Sequence, residues 1–264
     1  MTRRSLLLAL AAPPKIEEDI VYDGDLRLDI LAPAGPRSPV ILGIHGGGWS
    51  MGSRRSFHRV MPGFVEAGYA VATIQYRLAP AAKFPAPLDD VRKAMAFLRK
   101  NAAKWHLDPE RLVLMGASAG AQIALLAGFA DPTVRAVIDL SGPTDLRDWR
   151  MAGNAEENLK KTVAKTSANL IEEYLGGPPV TEEAIRAASP VLQVKRGGPP
   201  VFVMHWKEDQ AVNAEQAHRL IAELAAKGVP HEVHWFEGRG HAFAGKGVEE
   251  IVPRSVEFLK KHLR

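Results

Sequence analysis

Short apolar runs of strand-forming residues alternate with stretches of helical periodicity along most of this chain, and that alternation leaves few architectures open. Six of the β-type runs are almost continuously apolar: Val40-Ile41-Leu42-Gly43-Ile44, Ala70-Val71-Ala72-Thr73-Ile74, Leu112-Val113-Leu114-Met115, Ala136-Val137-Ile138, Val201-Phe202-Val203-Met204 and Glu232-Val233-His234-Trp235-Phe236. Such runs suit strands covered by helices on both faces, because neither side meets water. Between them, 88–100 sets Val91, Met95 and Leu98 on one helical face, and 121–129 is an apolar helix. The stretch 214–227 repeats Ala217, Leu220, Ile221 and Leu224 before Gly228, a residue suited to ending a helix. Val256, Leu259 and Leu263 make a closing amphipathic helix. Strands alternating with helices predict a mostly parallel, doubly wound sheet. Upstream, Ile20-Val21-Tyr22-Asp23 and Leu26-Arg27-Leu28-Asp29-Ile30-Leu31 flank Gly24-Asp25 and read as a hairpin at an antiparallel edge. The expectation is one α/β domain over 15–264 with eight strands.

One interval breaks this rhythm. Over 142–200 the strands pause, and a helical segment at 169–175 ends at Gly176-Gly177-Pro178-Pro179. A long insertion after a sheet strand reads as a cap, placed here at about 142–190, above the carboxyl edge where open α/β sheets bind ligands.

Composition removes several function classes. The 264 residues include no cysteine, which excludes thiolate nucleophiles and cysteine-based zinc sites. The net charge of +4 comes from Lys and Arg scattered among Asp and Glu, with only 7% aromatic residues. Nucleic-acid binders gather their charge into a stripe with interleaved aromatics, so no nucleic-acid partner is expected. The start of the chain, Thr2-Arg3-Arg4-Ser5 followed by Leu6-Leu7-Leu8-Ala9-Leu10-Ala11-Ala12, has the form of an export signal with paired arginines. It predicts a periplasmic or secreted protein; the competing reading keeps 1–14 as an apolar arm on a cytoplasmic one. No segment is long and apolar enough to span a membrane.

The sharpest local motif is Gly116-Ala117-Ser118-Ala119-Gly120, set between a strand and an apolar helix. A serine in a tight strand-to-helix turn needs small neighbours so that the backbone can pass, and it then presents its oxygen at the sheet edge. The helix N-terminus behind it offers free amides to a developing oxyanion. His45-Gly46-Gly47-Gly48-Trp49 follows another strand, and its glycines let bare amides approach a substrate. The expected oxyanion hole combines the amide of Ala119 with amides of Gly46, Gly47 and Gly48. No Gly-Lys-Ser/Thr ending follows, so a phosphate-binding loop is disfavoured. His45 precedes the serine and is expected to organise the loop.

In this type of site the order is Ser, then Asp or Glu, then His. Of the histidines after Ser118, His218 and His262 fall in helices, and His231 and His234 in or beside the last strand. His205 precedes the best acid loop. His241, in Gly238-Arg239-Gly240-His241-Ala242-Phe243 just past the final strand, has both the order and the edge required of a general base. Asp209, on the loop after 201–204, is the expected orienting acid, ahead of Glu208 and Asp145.

Taken together, His45-Gly46-Gly47-Gly48-Trp49, Tyr76-Arg77-Leu78-Ala79-Pro80, Asp89-Asp90-Val91, Gly116-Ala117-Ser118-Ala119-Gly120 and Gly240-His241-Ala242-Phe243 make the chain resemble the α/β-hydrolase superfamily. The similarity is to its hormone-sensitive-lipase-like and acetylxylan/feruloyl-esterase-like branch, from about residue 29 to the C-terminus, excluding most of the cap. The resemblance implies an α/β-hydrolase fold with a small helical cap. It also implies a serine esterase acting on a small or short-acyl ester through an acyl-enzyme at Ser118, with no metal or organic cofactor. Arg77 and Asp90 become structural partners behind the oxyanion loop. The branch often carries His-Gly-x-x-Asp before the acid, whereas this chain has His205-Trp206-Lys207-Glu208-Asp209. Trp206 is thus a departure that bears on the shape of the acid loop. An amide or peptide hydrolase with the same triad and a non-catalytic binding protein are the rival readings.

Overall fold

The computed structural model describes residues 15–151 and 153–263. The export-signal reading of 1–14 lies outside them. Eight strands, β1 (Glu17–Asp23), β2 (Leu26–Leu31), β3 (Ser38–Ile44), β4 (Ala70–Ile74), β5 (Leu107–Ala117), β6 (Val134–Leu140), β7 (Val201–Trp206) and β8 (His231–Phe236), form one sheet in the order β1-β2-β4-β3-β5-β6-β7-β8. β1 and β2 pair antiparallel, β2 joins β4 antiparallel, and every later pairing is parallel. The antiparallel edge and parallel body expected from the sequence are both present. β5 is much longer than its apolar run of four. Its first residues, Leu107 and Asp108, pair with Ser38 and Pro39 before a register shift, and that long-range pairing leaves no apolar pattern in the sequence.

Helices α1 (Met61–Glu66), α2 (Ala86–Lys100), α3 (Ala119–Ala130), α4 (Gly153–Val163), α5 (Ser167–Leu175), α6 (Glu182–Ala187), α7 (Glu215–Ala226) and α8 (Ile251–His262) complete the fold. One face of the sheet is covered by α2, α3 and α7 through side chains such as Met95, Ile123 and Leu220. The other is covered by α1 and α8 through Phe64, Phe258 and Leu259. With both faces dry, strands such as β4 and β7 are buried along their whole length, which is why they read as continuous apolar runs.

The pause over 142–200 contains α4, α5 and α6. α5 is well specified locally: Thr166 and Asn169 form a reciprocal capping box at its start, and Gly176 ends it at φ 88°. α4 buries none of its residues. It and the six-residue α1 and α6 are helices the periodicity did not mark, because a short or exposed helix carries little apolar stripe.

Candidate active site

The turn after β5 is sharp. Ser118 sits at φ 53° and ψ −125°, between the last residue of β5 and the first of α3. A non-glycine residue in that region stores on the order of 1–3 kcal/mol of strain. The strain is held by the Ser118 amide donating to Leu140 O at 2.8 Å and by Ser118 O accepting from Ala121 N at 2.8 Å. The flanking glycines are required by space: a Cβ on Gly120 would overlap the carbonyl oxygens of Ile44 and His45, and one on Gly116 the backbone of Ala121. The turn at Ser118 therefore packs backbone to backbone against the end of β3.

The loop leaving β3 supplies the second element. Gly47 and Gly48 take φ 119° and 56°, followed by Trp49 at φ 59°. Among the described residues, the amides of Gly46, Gly47 and Gly48 donate no hydrogen bond. Ala119 is the first residue of α3, where an N–H has no partner in its own helix. His45 is stacked on Tyr76 at 4.3 Å, and its Nδ1 lies 2.7 Å from Gly46 O. Burial pushes its imidazole down to about 4, so a neutral ring donates from Nδ1 and fixes the Gly46 peptide. His45 organises this loop, as expected from its place in the chain. Arg77 and Asp90 do form a forked ion pair, with Nη2 to Oδ1 at 2.7 Å and Asp90 wholly buried. The same segment reaches the glycine loop through Ala79 N donating to Trp49 O at 2.9 Å.

At the other end of the carboxyl edge, Asp209 has no exposed side-chain surface. Its Oδ1 accepts from the amides of Ala211 and Val212, each at 2.9 Å, and its Oδ2 lies 2.7 Å from His241 Nδ1. With Nδ1–H given to the carboxylate, Nε2 of His241 is left as a proton acceptor. His241 stands on a two-residue ladder, Gly240–His241 against Ala244–Gly245, where the sequence suggested only a loop. Glu208 turns out to solvent toward Arg239 at 3.8 Å, and Asp145 is engaged by Arg147 and Arg219 at 2.6 and 3.1 Å. Asp209 is therefore the carboxylate that meets His241.

Ser118, Gly46, Gly47, Gly48 and His241 line one cavity of about 500 Å³. Among the described residues Ser118 makes no hydrogen bond to His241; such bonds are often long without substrate and tighten when it binds. Met151, Leu159 and Leu170 from the insertion form an apolar wall. A Cβ on Gly48 would come 2.7 Å from Leu170 Cδ1. A hollow of about 290 Å³ beside Arg135 and Lys195 lies at the opposite edge of the sheet and holds none of these groups.

Two participants escaped sequence reasoning. Gln122 is fully buried one turn into α3. Its Oε1 accepts from Trp49 Nε1 at 2.9 Å and from Tyr174 OH at 3.2 Å, and its Nε2 donates to Ala188 O at 2.7 Å. It ties α3, the helix after Ser118, to the glycine loop and to the insertion. Leu170 is the other. The one available signal for Gln122 was a polar residue inside an otherwise apolar helix; Leu170 had none.

The fold and the arrangement at its carboxyl edge define an α/β-hydrolase. Solved structures agree at the level of fold. EstE1, a carboxylesterase cloned from a metagenomic library, superposes with a TM-score of 0.79 at 23% identity, covering 96% of this chain and 90% of that one. An esterase from Pyrobaculum calidifontis gives 0.79 at 23% identity, covering 94% and 85%. More narrowly, the chain matches the BD-FAE family over residues 28–224 and belongs to that family. In sequence it is similar to Esterase LipQ of Mycobacterium tuberculosis, 31% identical over 75% of this chain and 48% of that protein. It is also similar to Esterase LipC of the same organism, 29% identical over 78% and 53%. The chain thus spans about half the length of the curated relatives it matches.

Proposed function

We propose that the chain is a serine carboxylic-ester hydrolase acting on small, short-acyl esters, with Ser118 as nucleophile, His241 as general base and Asp209 as its orienting carboxylate. The observation that carries this reading is the strained Ser118 sharing one cavity with unengaged glycine amides and with a histidine whose Nδ1 is held by a buried carboxylate. In the proposed sequence, His241 Nε2 takes the Ser118 proton as the hydroxyl oxygen attacks the ester carbonyl. The tetrahedral oxyanion is met by the Ala119 amide and amides of the Gly46 to Gly48 loop. His241 then protonates the departing alkoxide, and water repeats the steps on the acyl-enzyme. The names of LipQ and LipC, both esterases, support the same class of reaction.

The short-acyl preference rests on Leu170 closing over Gly48 and on the modest cavity volume. A panel of acetyl, butyryl and octanoyl chromogenic esters, with fluorophosphonate labelling of Ser118, tests both parts. Octanoyl kcat/KM above acetyl would reject the size reading, and a probe that fails to label Ser118 would reject the nucleophile.

A further inference from the structure

Trp206 stands where the resembling branch often has glycine, and the structure shows what fills that difference. It is the last residue of β7 and fully buried. Its indole stacks on Phe236 of β8, with centroids 4.1 Å apart. The ring also lies beneath the short ladder that carries His241. Gly240 and Gly245 face each other across that ladder, and both rest on the indole. A Cβ on Gly240 would fall 2.6 Å from Trp206 Cε2 and nearer still to Cδ1 and Nε1, while one on Gly245 would fall 2.5 Å from Nε1. The indole N–H points to Lys246 O at 3.4 Å. The backbone of the same residue serves the acid, since the Asp209 amide donates to Trp206 O at 3.3 Å.

The far side of the ladder has its own supports. Ala242 N donates to Ser141 Oγ at 3.4 Å, Arg59 donates to Phe243 O at 2.9 Å, and Phe243 packs edge-on to Phe57. None of these reaches the acid loop. Trp206 alone in this set touches both the turn of Asp209 and the ladder of His241.

We propose that Trp206 is a positioning residue for the Asp209–His241 pair, its indole serving as the floor on which the His241 ladder rests while its carbonyl anchors the acid turn. The proposal rests on the serine-esterase reading above. Without the indole, the glycine ladder has space to settle toward the sheet, and the 2.7 Å bond between His241 and Asp209 is lost or lengthened. Misplacement of a reacting group by 1 Å can cost about 10²-fold in rate. The glycine loop and the Leu170 wall, which line the cavity away from the ladder, are untouched by this change, so KM is expected to move less than kcat.

The test is steady-state kinetics on butyryl ester with Trp206→Gly, Trp206→Phe and Gly240→Ala, each repeated in an Asp209→Asn background. Trp206→Gly is expected to lower kcat by about 10- to 100-fold with KM changed less than about threefold. Trp206→Phe, which keeps a ring against Phe236 and Gly240, should recover most of the rate. In Asp209→Asn the further change Trp206→Gly should cost less than about twofold, because residues acting as one unit are not additive. Gly240→Ala should lower kcat by about tenfold or more by pressing on the indole, and Trp206→Val should suppress that loss. Equal losses in both backgrounds, a change confined to KM, or no suppression of Gly240→Ala would each overturn the proposal. If Trp206→Gly fails to fold, the Phe variant and the suppressor pair decide it alone. Full activity in Ser118→Ala would instead sink the underlying reading, an outcome separate from any of these.

Discussion

The two ends of the cavity are built by different means. At the nucleophile end, Ser118 and the Gly46 to Gly48 loop are fixed by backbone against backbone, with glycines where a side chain has no room. At the other end, Asp209 on its loop and His241 on its short ladder lie 32 residues apart in the chain, and the ladder is seated on side chains: Trp206, backed by Phe236, with Phe243 and Ser141 beyond it. Backbone clearance tolerates almost no substitution at the constrained position. Side-chain seating leaves more room for exchange, provided the space is refilled by another side chain.

That contrast breaks first, and hardest, at Ser118. Ser118→Ala is expected to lower kcat for acetyl or butyryl esters by about 10⁴-fold or more, with an unchanged melting profile. Retained turnover would show that the strained turn is not the reacting one.

A smaller loss is expected at the other end. Asp209→Asn should reduce kcat by about 10³- to 10⁴-fold, because an amide cannot hold the same imidazole tautomer or balance an imidazolium. Its neighbour gives the control. Glu208 is exposed and faces Arg239, so Glu208→Gln should stay within about twofold of the parent. Reversal of the two results would move the carboxylate by one residue.

The wall between the two ends is tested by Leu170→Ala. Opening the space over Gly48 should raise the octanoyl-to-acetyl ratio of kcat/KM by about tenfold, within the 1–3 kcal/mol that pocket methylenes are worth. The same change should lower stability by about 2–5 kcal/mol, since Leu170 is buried. An unchanged chain-length profile would mean that another surface limits the acyl group.

The smallest effect concerns two buried groups under the nucleophile end that titrate in opposite directions. His45 is held down to about 4 by burial. Its neutral form is favoured by folding, so stability is lost as pH falls from about 6.5 toward 4. Asp139, on β6 beside Gly116, is pushed up to about 7 by burial, against a single opposing hydrogen bond from Gly142 N. Its folded pKa is raised, so its contribution is fully present below about 3.8 and is lost as pH rises through about 7. Asp139→Asn keeps the acceptor for Gly142 and removes the ionisation. It should raise Tm at pH 8 by about 2–8 °C, with the gain shrinking toward pH 4. A gain independent of pH would show that Asp139 is not the group titrating there.

Much of the molecule was legible in advance where the cause is local. Strands buried on both faces must be apolar at every position, so β4 and β7 stand out as runs. A serine in a strained turn needs small neighbours within two residues, so 116–120 stands out as a string. α1, α4 and α6 were not legible, because six residues or an exposed surface leave no periodic stripe. The start of β5 was hidden for a related reason, as its pairing with Ser38 and Pro39 is set by a strand about 70 residues earlier.

By itself, then, the sequence determined the apolar strand runs and the need for small residues around Ser118, because each depends on residues adjacent along the chain. The tertiary structure decided that Gln122 joins Trp49 to Tyr174, that Leu170 walls the cavity over Gly48, and that Trp206 lies under Gly240 and Gly245. Those pairings link residues tens of positions apart, and a side chain's partner across the fold follows from how layers pack, which no local pattern of residues encodes.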